Sequence, residues 1–167
     1  MKFNPNEYFK SIAISHKEIQ HTTENPAFFR EFSSSKILFD NSDFLDKLRY
    51  AKQTALVSQF NGDSNTFGRS SDNLSKEYMG VVFIISKITD KNIDAVILKT
   101  ESIIEDIIAK IQYDSDNEIL SPALSFKLTN IHASAVGIIA NNYYGHAVFL
   151  NYTLPNCVAY NQDKWLN

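Results

Sequence analysis

The chain has one cysteine, Cys157, in 167 residues, so no internal disulfide can hold it together. It has five glycines, and they do not cluster. No Gly-Lys-Ser/Thr phosphate loop and no Gly-x-Ser-x-Gly nucleophile elbow is present. Long apolar runs are missing too. VVFII at 81–85 is far shorter than a bilayer span requires. The opening MKFNPNEYFK lacks the apolar core of a signal peptide. The expectation is therefore a chain that stays out of the membrane, in the cytoplasm or as a soluble part of an assembly. Charge of one sign is lacking as well: 16 Lys and Arg stand against 19 Asp and Glu, a net charge of −3. That balance argues against a dedicated nucleic-acid surface, although a slightly acidic protein can lie beside DNA without gripping it.

The residues that could carry chemistry are sparse. His16, His21, His132 and His146 show no metal-ligand spacing and read as packed or hydrogen-bonded side chains. Cys157 would need a distant histidine to act as a nucleophile, so it reads as a structural thiol. The segment 114–118, DSDNE, and the segment 63–68, DSNTFG, each miss required positions of a calcium loop and read as solvated turns. The expectation is a non-enzymatic chain with no cofactor and no metal.

What is present is a core. Hydrophobic residues make up 44% of the chain and aromatics 13%, enough for one domain over 1–167, closed by a short tail at 155–167. Asn4, Pro5 and Glu7 mark a helix start, and Phe9, Ile12, His16 and Ile19 give it an apolar stripe over 5–20. Asn25-Pro26 breaks the chain. PAFFREFS suggests a strand, and 42–52 a short helix. TALVSQF and the segment from Tyr78, YMGVVFIISKI, read as strands. The second is apolar on both sides over VVFII, which predicts a central strand covered twice, by helices on one side and by a neighbouring subunit on the other. Ile93, Val96, Ile97, Ile104, Ile107, Ile108 and Ile111 predict the longest helix over 92–113, with Asp106 and Lys110 placed to pair at i,i+4. LSFKLTNI predicts a strand. SAVGIIA and YGHAVFLNYTL predict a hairpin whose second arm puts His146, Val148, Leu150, Tyr152 and Leu154 on one face. The order predicts an α+β protein with a single layer of mostly antiparallel sheet and helices on one face.

One stretch does not fit a compact hairpin. Between TALVSQF and the strand from Tyr78 the chain spends residues 61–77 on NGDSNTFGRSSDNLSKE, where two to five residues would do. Long structureless connections in compact domains are uncommon and often functional. Phe67, Leu74 and Tyr78 are apolar anchors that a spacer does not need, and Arg69 and Lys76 add positive charge. These five residues are the candidate site, a projecting arm that orders on assembly.

The Asn-Pro after the first helix, the polar arm before YMGVVFIISKI, the turn in NNYYGHAVFLNYTLPNCVAYNQDKW and its closing Asp-Lys-Trp resemble, over nearly the whole chain, small neck or tail-completion proteins of tailed bacteriophages, especially crAss-like phages of gut Bacteroidales. The implied fold is similar to tail-terminator and head–tail connector subunits. The resemblance implies a homo-oligomeric ring of twelve or six copies at the head–tail neck of a virion assembled in the host cytoplasm. Such a ring would extend the DNA channel and dock the portal or adjacent neck and tail rings, with DNA passing through the lumen without sequence-specific binding. Two other classes stay open: a tail or baseplate component of a contractile injection system, and a small α+β ligand-binding domain or enzyme. A pocket joining His146 and Tyr152 would favour the last.

Overall fold

Asn4 and Pro5 start the first helix as the sequence predicts. In the computed structural model, helix α1 spans Pro5–Ser15, and the Asn4 Oδ1 accepts a hydrogen bond from the Asn6 amide at 3.1 Å. The described residues are 3–31, 42–51, 54–60, 64–68, 74–89, 92–120, 124–127, 131, 133–139 and 142–155. Cys157, Trp165, His132, Arg69 and most of the tail lie outside them. Helix α1 stops short of the predicted residue 20, because His16 turns to extended backbone as its C-cap. The His16 ring therefore leaves the apolar stripe and meets Asp106 at 3.3 Å.

The remaining elements are strand β1 (Phe28–Arg30), helix α2 (Ser42–Tyr50), strands β2 (Thr54–Gln59), β3 (Ser64–Phe67) and β4 (Ser75–Lys87), helix α3 (Ile93–Asp116), and strands β5 (Ser125–Phe126), β6 (Ala133–Ile139) and β7 (Tyr143–Pro155). They form an α+β protein with a seven-stranded mixed sheet in the order β1-β2-β4-β7-β5. Strand β1 pairs parallel to β2, and the other pairs are antiparallel. Strands β4 and β7 are the axis: all 13 residues of β4 pair with β7, from Ser75 opposite Pro155 to Lys87 opposite Tyr143. At about 3.4 Å per residue, that ribbon is about 44 Å long.

Alternation along these strands separates two faces. Leu56, Val82, Ile84, Val148 and Leu150 face one side, where Phe9 and Ile12 of α1 and Ile103, Ile104, Ile107 and Ile111 of α3 cover them. Ala55, Val57, Phe83, Ile85 and Ala147 face the other, where Phe44 and Leu48 of α2 and Ile139 of β6 cover them. Helices thus lie on both faces, not on one. The cover of VVFII that was expected from a neighbouring subunit comes from the chain's own α2 and β6. A nine-residue helix shows which side of itself is apolar, but not which side of a sheet it will choose.

Of the predicted α3 stripe, Val96, Ile104, Ile107 and Ile111 are buried, together with Ile103, Thr100 and Asp114, while Ile93, Ile97 and Ile108 are partly buried. Asp114 is no solvated turn. It is buried within the helix, where the Tyr8 hydroxyl donates to it at 2.9 Å and the Lys110 Nζ at 2.6 Å. Lys110 therefore pairs forward with Asp114, while Asp106 meets His16. Among the described residues of LSFKLTNI, only Ser125 and Phe126 pair as a strand. The turn of the last hairpin is shorter than predicted, since Tyr143 and Tyr144 already belong to β7.

Candidate functional site

The described residues of the 61–77 segment are not an unstructured arm: 64–67 and 75–77 are strand. Strand β3 pairs with β4 from Ser64 opposite Tyr78 to Phe67 opposite Ser75, and β4 begins at Ser75, three residues before the predicted start. Strands β2 and β3 occupy the same lane beside β4: Gln59 pairs with Val81 and Ser64 with Tyr78. The polar composition concealed this pairing, because Ser, Asn and Thr carry no apolar alternation. The outcome is an overhang of β3, β4 and β7, one face of which packs with α1.

The candidate residues divide between the two faces of this overhang. Tyr78 lies on the α1 side and stacks on Tyr152, with ring centroids 5.0 Å apart. Lys76 lies on the same side, its Nζ 5.1 Å from the Tyr78 ring centroid, an attractive placement of a cation over a ring face. Leu74, just before β4, is half-buried. Phe3, Phe60 and Phe126 complete an aromatic cluster around Tyr152. Burial, and then the neighbouring Tyr78, push the Tyr152 phenol up to about 12. A side chain at position 80 would collide with the Phe60 ring, so Gly80 is what lets that ring lie against the strand. Tyr78 is thus a packed residue of this cluster, not a free anchor.

The opposite face carries Phe67, Met79 and Phe149, which are 48%, 39% and 48% exposed. Met79 pairs opposite Asn151 and Phe149 opposite Val81, which places both on the α2 side. Gln59, buried on this side, has no hydrogen-bond partner for its Nε2 among the described residues. Glu77 on the same face is held by Lys127 at 2.5 Å. Of the four predicted residues that are described, Phe67 alone belongs to this exposed apolar strip. Met79 and Phe149 were missed because they sit in strands whose other residues are core.

His146 and Tyr152 do not converge on one pocket. The His146 Nδ1 lies 2.8 Å from the Thr100 hydroxyl on α3, while Tyr152 sits in the aromatic cluster. His146 lines a cleft of about 290 Å³ between α3 and β6, with Glu101, Ile104, Glu105, Ile108, Ala133 and Ala135. Burial pushes its imidazole below the ordinary value, and the Glu101 carboxylate opposes the shift. A second cleft, of about 430 Å³, lies beside the start of α3 between Lys87 and Lys99. Its buried hydroxyls, Thr54 and Ser86, bond each other at 2.5 Å, and Lys99 pairs with Glu18 at 2.8 Å. Among the described residues, no three or more His, Cys, Asp or Glu side chains gather to hold a metal ion, and no helix is long and apolar enough to cross a membrane. No family model and no curated protein matches the chain.

Proposed function

We propose that the protein is a structural subunit of a head–tail neck or tail ring in a tailed phage, and that the β3–β4–β7 overhang is its assembly surface. The observation that carries this reading is the exposure of Phe67 and Met79 on one face of a paired ribbon. Exposed apolar side chains are ordinary when scattered. Here they share one face of one ribbon, which is the arrangement of a docking surface.

The edges of the sheet favour a ring over a two-fold dimer. Among the described residues, β3 pairs only with β4 and β6 only with β7, so they border the sheet on opposite sides. Strand β6, ASAVGII, has no charged residue, and its Ile138 is exposed, although a bulge between Ala135 and Gly137 bends it. Uncharged edges invite pairing. A contact between unlike edges is head-to-tail, and such contacts close into rings when the rotation permits. The slightly acidic chain also suits a channel wall, since bound phosphates would retard passing DNA. Electron microscopy of the purified protein, or of the native particle, tests this. The expected result is a closed ring of twelve or six copies; monomers at every concentration and in every particle would refute it.

A further inference from the structure

His146 and the cleft above it are independent of the overhang. The Thr100 hydroxyl lies 2.9 Å from the Val96 carbonyl oxygen and 3.1 Å from that of Ile97. Both carbonyls only accept, and a hydroxyl has a single proton to give. That proton goes to the helix carbonyls, the usual back-bond of a helical threonine. If Thr100 donated to His146 instead, its lone pairs would face two carbonyl oxygens. The Thr100 oxygen therefore accepts, and the His146 Nδ1 carries the hydrogen. The neutral ring is then left with a lone pair on Nε2. His146 is 9% exposed, its one hydrogen bond among the described residues is that to Thr100, and its ring lines the cleft.

The other polar groups of the cleft are the Glu101 and Glu105 carboxylates, one helical turn apart on α3. Among the described lining residues, the side-chain polar groups left for a ligand accept and none donates. The walls are Ile104 and Ile108 on one side and Ala133 and Ala135 on the other. A primary ammonium offers three N–H donors and no acceptor, matching one imidazole nitrogen and two carboxylates, and an alkyl chain suits the apolar walls. About 290 Å³ lies at the lower end for small-molecule sites, which fits a short chain.

We infer that the cleft between α3 and β6 is a binding site for a small primary alkylammonium ion, held by the His146 Nε2 and the Glu101 and Glu105 carboxylates.

The test is a titration of the folded, full-length protein with n-butylammonium chloride at pH 7.5 and constant ionic strength. Nitrogen NMR of the His146 ring reads both the tautomer and the binding. The expected result is a hydrogen on Nδ1 in the free protein and a saturable shift of Nε2 on titration. Tetramethylammonium, which has the charge but no N–H, should give no saturable shift. Glu101→Gln with Glu105→Gln changes two exposed side chains and should leave the circular dichroism unchanged while weakening binding about fivefold or more. A hydrogen on Nε2, the absence of saturable binding, equal binding of tetramethylammonium, or undiminished binding by the double variant would each overturn the assignment.

Discussion

The two faces of the β3–β4–β7 overhang carry similar side chains under different cover. On the α1 side, Tyr78 and Tyr152 stack within a cluster closed by Phe3, Phe60 and Phe126. On the α2 side, Phe67 and Met79 remain substantially exposed on the same strands. Residues 78 and 79 are neighbours in sequence, and the pleat sends them to opposite faces. The contrast teaches that an apolar residue next to a polar loop carries two possible meanings, core or contact. Position along the helices decides between them: α1 reaches over the overhang and α2 does not.

Substitutions on the two faces should differ in their cost. The largest effect is expected from Tyr152→Ala on the covered face, where the ring is buried against Phe3, Phe60, Tyr78 and Phe126. By the measure of buried aromatic truncations it should cost about 3–5 kcal/mol, read by urea denaturation. A smaller loss is expected from Gly80→Ala. The added methyl meets the Phe60 ring, and forcing that ring aside should cost about 1–3 kcal/mol.

The covered side of the sheet also carries a pH dependence. Burial holds His146 below its ordinary value of 6.5 in the folded chain, and His21 is lowered as well. The unfolded chain then binds more protons as pH falls below about 6.5. Stability should accordingly be full above that value and decline as pH drops through the lowered folded-state values. Denaturation midpoints at pH 7.5 and pH 5 measure this, and His146→Gln should flatten the decline. A midpoint that rises toward pH 5 would contradict the buried neutral imidazole.

The smallest stability effect belongs to the exposed face. Phe67→Ser and Met79→Ser remove no core packing, and each should change stability by less than about 0.5 kcal/mol. A large loss for either in the isolated subunit would mean that the strip is intramolecular core, and the contrast between the faces would disappear.

Much of the fold was legible locally. Asn4 and Pro5 announced α1, the isoleucines of 93–111 announced α3, and the Val/Ile/Phe runs announced β2, β4 and β7. These signals lie within a few residues of the elements they mark. What stayed hidden depends on partners far along the chain. Tyr8 meets Asp114 and Thr100 meets His146, separations for which a single sequence offers no period. Strand β3 stayed hidden because its pairing with β4 is made by backbone groups, which Ser-Asn-Thr-Phe supplies as well as any other sequence. The predicted arm thus takes another shape: Phe67 shares the exposed strip with Met79 and Phe149, and Tyr78 packs into the aromatic cluster.

The central claim is that the α2-side strip of the overhang joins copies of the chain. Sedimentation velocity across a range of concentrations, on the wild-type protein and on the Phe67→Ser, Met79→Ser double variant, tests it most directly. The wild type should form an assembly many subunits in size, and the variant should stay a monomer with an unchanged melt. A wild type that stays monomeric throughout, or a variant that assembles to the same mass, would contradict it.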